Sequence, residues 1–201
     1  MTARTDRPIA IGLTGSIGAG KSAALAAFAR HGAAVLDSDA VVHALYLRPA
    51  VQAAVTGRFG PAVVLSDGSI DRAALGRIVF ADPAALAWLE ALLHPLVGEA
   101  SERWTERERA RADPPRVLVQ EVQLLFEGDG AHGFDRTLLI DAPDTVRHAR
   151  IAARGSLARV AEREARLLPA AERRLLADDV IVNDGDLVAL DDAIRLYLDR
   201  L

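Results

Sequence analysis

The chain has 201 residues, 51% of them hydrophobic and 26% charged, which supplies enough apolar mass for a real core and argues against disorder. Acidic residues number 28 against 24 basic ones, a formal net charge of -4, which disfavours a nucleic-acid binder that works through broad positive potential. Cysteine is absent, which removes disulfides, thiolate nucleophiles and cysteine zinc sites together. The apolar runs stop well short of the ~20 residues that span a bilayer, and Ile9 to Leu13, after a polar start, is too short for a signal-peptide core. The expectation is a cytoplasmic protein, monomeric or a weak homo-oligomer, with neither nucleic acid nor membrane as partner.

In chain order, Ile9 to Thr14 reads as a strand buried on both faces, and Lys21 to His31 as a helix stopped by Gly32. Ala33 to Leu36 is a second short strand, followed by Asp37-Ser38-Asp39. Residues 40–115 are mostly helical by pattern. Asp71 caps a helix from Arg72 to Phe80, Asp82-Pro83 opens another through Leu93, and His94-Pro95 closes it. Glu99 to Arg111, dense in Glu and Arg with Trp104 on its apolar side, reads as a solvated helix face. Strands follow at Val117 to Val122, Thr137 to Ile140 and Val180 to Val182, and a second helical insert, broken at Gly155 and Pro169, occupies residues 144–177. Five compact strands alternating with helices predict a three-layer α/β/α fold around a mainly parallel sheet. The expected division is a core of residues 1–39, 116–143 and 178–201, a helical unit of 40–115 and a lid of 144–177.

Gly15-Ser16-Ile17-Gly18-Ala19-Gly20-Lys21-Ser22 matches G-x-x-x-x-G-K-[ST] and stands between a predicted strand and a predicted helix. Glycines let successive N–H groups converge on phosphate oxygens, the helix N-terminus adds favourable dipole, Lys21 reaches the terminal phosphates, and the Ser22 hydroxyl is placed to ligate Mg²⁺. All but one of the 24 basic residues are arginine, and the exception is Lys21. A nucleoside triphosphate is therefore the expected ligand.

Asp37 and Asp39 alternate along a predicted strand end, so both side chains should point to one side, beside the phosphate loop. They suit a Mg²⁺ contact or a base for an incoming hydroxyl, unless one of them only caps the following helix. Arg147, Arg150 and Arg154 share a helix face, with Arg163 on the next segment; the face is either a cationic lid over the phosphates or simply solvated, and Arg150 and Arg154 are the favoured pair. His94 is a helix-end hydrogen bonder or a functional group, and Asn183-Asp184-Gly185 lines an adenine pocket or turns the chain.

The ordered set of Gly12 to Ser22, Asp37-Ser38-Asp39 with His43 and Leu45, Ile70-Asp71-Arg72 with Leu75, Val79 and Phe80, Leu89-Glu90 with His94-Pro95, Leu124 to Glu127, and Ala177 to Ile181 with Asn183 resembles the dephospho-coenzyme A kinases, from about Ile9 to Asn183. The resemblance implies a P-loop kinase-like fold with a helical acceptor domain and a lid, and transfer of the ATP γ-phosphoryl to the 3′-hydroxyl of dephospho-coenzyme A with Mg²⁺. It implies catalytic roles for Lys21, Asp39, Arg150 and Arg154, with Asp39 as base. ATP contacts fall to residues 15–22 with Ala23 and Asn183, and acceptor contacts to Asp39, His43, Arg72, Leu75, His94 and Glu127. Three departures stand out: Gln123 replaces a usual proline, Arg147 and Leu167 stand where glutamines are common, and Gly155 to Ala161 is shortened. A kinase for another small acceptor, such as a nucleoside monophosphate, is the alternative. A GTP switch needs an Asn-Lys-x-Asp reader that a chain with Lys21 as its only lysine lacks, and a nucleotide-binding regulator without activity is the remaining reading.

Overall fold

The computed structural model describes residues 7–153, 160 and 164–201. Five strands, β1 (Ile9–Thr14), β2 (Ala34–Asp37), β3 (Val117–Glu121), β4 (Arg136–Asp141) and β5 (Asp179–Val182), form one sheet in the order β2-β3-β1-β4-β5. Every neighbouring pair is parallel. The middles of the central strands are apolar and covered on both faces, and Ile11, Leu13, Val119, Leu138 and Ile140 are fully buried. β1 is central, and the connections leaving β1 and β3 run to opposite sides of the sheet. That makes the C-terminal ends of these two strands the switch point where α/β sheets bind ligands.

Helices α1 (Lys21–Arg30) and α8 (Leu187–Arg200) pack on the sheet, with Phe28 edge-on to Tyr197 at 6.2 Å. Burial, and a hydrogen bond donated by the Tyr197 hydroxyl to Asp179 Oδ2 at 3.0 Å, push the Tyr197 phenol up. α8 starts at Asp186, whose carboxylate accepts from Ala189 N at 2.9 Å. α6 (Asp144–Ala153) and α7 (Ala170–Leu176) complete this unit, which comprises the residues up to Asp37 together with Arg107–Leu201.

The second compact unit, Ser38–Glu106, is helical. Its elements are α2 (Ser38–Leu45), α3 (Pro49–Phe59), α4 (Arg72–Ala81) and most of α5 (Pro83–Arg109). Leu45, Val55, Leu75 and Leu89 lie in its own apolar core, and Phe59 meets Trp88 edge-on at 5.4 Å. Asp71 caps α4 by accepting from Ala73 N and Ala74 N, as the sequence predicts.

Two local expectations are corrected. His94-Pro95 does not end a helix: α5, 27 residues in all, runs through Pro95 to Arg109. A proline inside a helix costs about 3 kcal/mol; here packing on both sides, with Leu93 and Trp104 buried and Glu99 paired to Arg103, keeps the helix continuous. Asp37 and Asp39 do not alternate on one strand either. Asp37 is the last residue of β2, whereas Asp39 belongs to the first turn of α2, so the period-2 argument for a shared direction does not apply. A carboxylate in the first turn of a helix is favoured by the helix dipole. No helix among the described residues is long and apolar enough to cross a membrane.

Candidate active site

The loop from Gly15 to Gly20 joins β1 to α1 at the centre of the sheet. Gly18 and Gly20 hold φ of +80° and +103°, backbone that residues with a Cβ rarely adopt. Each is also crowded. A Cβ on Gly18 would lie 2.8 Å from the Arg147 carbonyl oxygen, and one on Gly20 would collide with Asn183 Nδ2. Gly20→Ala should therefore push Asn183 off the loop and weaken ATP and ADP binding together by about tenfold or more, the cost of a strained backbone position of ~1–3 kcal/mol; calorimetric titration of both nucleotides checks this.

Lys21 folds its ammonium back over the loop, donating to the carbonyl oxygens of Gly15 (3.0 Å) and Ser16 (3.4 Å) and standing 3.7 Å from Glu121 Oε1. Glu121 ends β3, in register with Leu13 of β1 on one side and Asp37 of β2 on the other. Its carboxylate is a site feature that the sequence reading passed over. A carboxylate at the C-terminal end of the strand beside the phosphate loop is the signal that marks it. Ser22, in the first turn of α1, exposes its side chain.

Asn183 is buried and ties the loop to the sheet: its Nδ2 donates to the Ala19 carbonyl at 2.7 Å and its N–H to the Asp141 carbonyl at 2.6 Å. Arg150 reaches the same corner, donating to Asn183 O at 3.1 Å and to Gly185 O at 2.9 Å. Arg147 is buried rather than solvated. It donates to Ile17 O at 3.1 Å and pairs with Asp144 and Glu164, so its side chain lies against the phosphate loop.

Arg173 of α7, absent from the expected site, is buried against the loop, with Nη2 donating to Ser16 Oγ at 2.6 Å and Nε to Leu168 O at 3.0 Å. Burial lowers the pKa of its guanidinium, and the nearby charges of Glu127 and Asp141 oppose that shift. Its neighbour Arg174 is exposed and pairs with the buried Asp141. Glu127 is half-buried, accepting from Leu168 N at 2.8 Å and Phe126 N at 3.1 Å, and so holds the segment leading into α7.

In the helical unit, Asp39, His43, Arg72 and His94 are exposed. Leu75 is 1% exposed and packs in that unit's core, which corrects the expectation that its side chain contacts an acceptor. Arg72 lies close enough to Tyr46 to lower its pKa, against burial, which raises it. The expected lid arginines Arg154 and Arg163, and the shortened stretch after Gly155, lie outside the described residues.

A family model for dephospho-CoA kinases matches residues 9–189. A dephospho-CoA kinase of Thiobacillus denitrificans is 43% identical over 194 residues, covering 92% of this chain and 91% of its own. Among solved structures, TT1252 from Thermus thermophilus superposes with a TM-score of 0.79 at 37% identity, covering 97% of this chain and 98% of that one. A dephospho-CoA kinase from Campylobacter jejuni shares the fold with a TM-score of 0.66 at 20% identity, covering 96% and 97% of the two chains.

Proposed function

The chain belongs to the dephospho-CoA kinase family, and from that premise we propose how its residues carry the γ-phosphoryl group of ATP to the 3′-hydroxyl of dephospho-coenzyme A. The observation that carries the reading is the loop of residues 15–22 at the switch point of the sheet, with the only lysine of the chain laid over it. Its N–H groups and the N-terminus of α1 bind phosphate oxygens. Lys21 neutralises charge at the β and γ positions, leaving its interim contacts with Gly15 O and Ser16 O as phosphate arrives. Arg150 and Asn183 border the corner beside Gly20 and Ala19, which fits the nucleoside side of the loop.

Asp39 takes the proton of the attacking hydroxyl, with exposed His43, Arg72 and His94 of the helical unit contributing acceptor contacts. Mg²⁺ accompanies ATP in this reading. The exposed Ser22 hydroxyl, with Glu121 and Asp37 on adjoining strand ends, offers the oxygen donors that a hard cation takes in small number while keeping waters and phosphate ligands. No group of three metal-ligating side chains occurs among the described residues, which fits an ion brought in by the nucleotide. When bound, it draws charge off the β- and γ-phosphate oxygens. A cytoplasmic setting, where ATP is plentiful, agrees with the absence of cysteine.

Radiolabelled ATP offered with a panel of hydroxyl acceptors tests the assignment. Dephospho-coenzyme A should give the highest kcat/KM, and preference for a nucleoside monophosphate would replace it with the alternative acceptor class.

A further inference from the structure

Arg173 carries a cation into the interior with no ion-pair partner of its own among the described residues. Three carboxylates influence its charge, but each is engaged elsewhere: Glu127 accepts from the Leu168 and Phe126 amides, Asp141 pairs with Arg174, and Glu164 pairs with Arg147. Two of its nitrogens are anchored, Nε on Leu168 O and Nη2 on Ser16 Oγ. The third, Nη1, is buried and has no partner among the described residues. An unsatisfied buried donor is costly, the more so on a charged group, and such atoms call for an explanation.

The position of Nη2 supplies one. Ser16 is the residue on whose main-chain oxygen the Lys21 ammonium also rests, so guanidinium and ammonium converge on the same end of the loop. Lysine in this motif reaches the terminal phosphates. Arg150, by contrast, is anchored on Asn183 and Gly185, at the Ala19–Gly20 end. We propose that Arg173 is a ligand of the γ-phosphoryl group of ATP, bound through Nη1, and that it stabilises the charge this group carries as it transfers. The inference rests on ATP being the phosphoryl donor. Because Nε and Nη2 are fixed by protein oxygens, the guanidinium is already oriented, and the buried Nη1 needs only a local uncovering to meet the phosphate in a charge-assisted hydrogen bond.

The test is the discrimination between ADP and the β,γ-imido analogue of ATP, measured by calorimetric titration in magnesium buffer on the full chain, Arg173→Gln and Arg173→Lys. Loss of a γ-phosphate ligand weakens the analogue alone, so the ratio Kd(ADP)/Kd(analogue) should fall about tenfold or more in Arg173→Gln. In Arg173→Lys one ammonium cannot span Leu168 O, Ser16 Oγ and the phosphate, and the ratio should fall by about threefold or more. A merely structural role loosens the loop for both nucleotides and leaves the ratio alone. An unchanged ratio overturns the proposal, and if Arg173→Gln shows no cooperative melt the lysine variant decides. Turnover of dephospho-coenzyme A by the unaltered chain is scored separately, so a failed acceptor assignment stays distinct from a failed role for Arg173.

Discussion

Lys21→Ala should bind ADP nearly as the unaltered chain does and turn over about 10²–10³-fold more slowly, the usual loss when one preorganised charge donor to the transition state is removed. The Lys21 side chain is only 12% exposed, and its ammonium stands 3.7 Å from Glu121 and lies on Gly15 O and Ser16 O, so its reach is confined by the loop and the end of β3. Lys21→Arg should be nearly as poor. A planar fork replaces a compact point charge and has to fit beside Arg173, which already occupies Ser16 Oγ. In a chain where every other basic position is arginine, the retention of lysine here agrees with that steric argument. Single-turnover kinetics with saturating ATP give the comparison, and near-normal turnover in Lys21→Arg would remove the special role of the ammonium.

Asp39→Asn should lower kcat by about 10²-fold or more while leaving ADP affinity intact, since a general base contributes 10²–10⁴ to the rate and asparagine cannot accept the proton. Asp37→Asn is the control that separates the two carboxylates. Asp37 ends β2 in register with Glu121, whereas Asp39 lies in the first turn of α2, so the two belong to different elements and their effects should differ. Steady-state kcat with dephospho-coenzyme A, alongside ADP titration, reads both. If Asp37→Asn gives the larger loss of kcat with its dependence on Mg²⁺ concentration unchanged, the base assignment moves to Asp37; a raised Mg²⁺ requirement marks a metal contact instead.

The phosphate loop and the five strands were legible because their signals are local. A glycine-rich turn between an apolar run and a helix, and compact apolar runs bounded by polar residues, need no tertiary information. Asp71 as the cap of α4 was legible for the same reason. What sequence could not decide was which way long charged side chains turn. Arg147 stood on a face that read either as a lid over the phosphates or as solvated, and it is buried on Ile17 O, whereas Arg173 had no periodic feature to distinguish it from Arg174. Burial of an arginine depends on partners far away in the chain, here Ser16, 157 residues earlier. Leu75 failed in the opposite sense, since a motif position proved to be packing in the helical core. The helix through Pro95 shows local propensity overridden by packing along both halves of α5.

The most direct measurement follows the phosphoryl group itself, using ATP carrying ¹⁸O at the three non-bridging positions of its γ-phosphate and ³¹P magnetic resonance of the product. The account predicts one new phosphomonoester, on the 3′-hydroxyl of dephospho-coenzyme A, that retains the labelled oxygens, together with ADP. Label appearing only in inorganic phosphate, or on another hydroxyl, would contradict it.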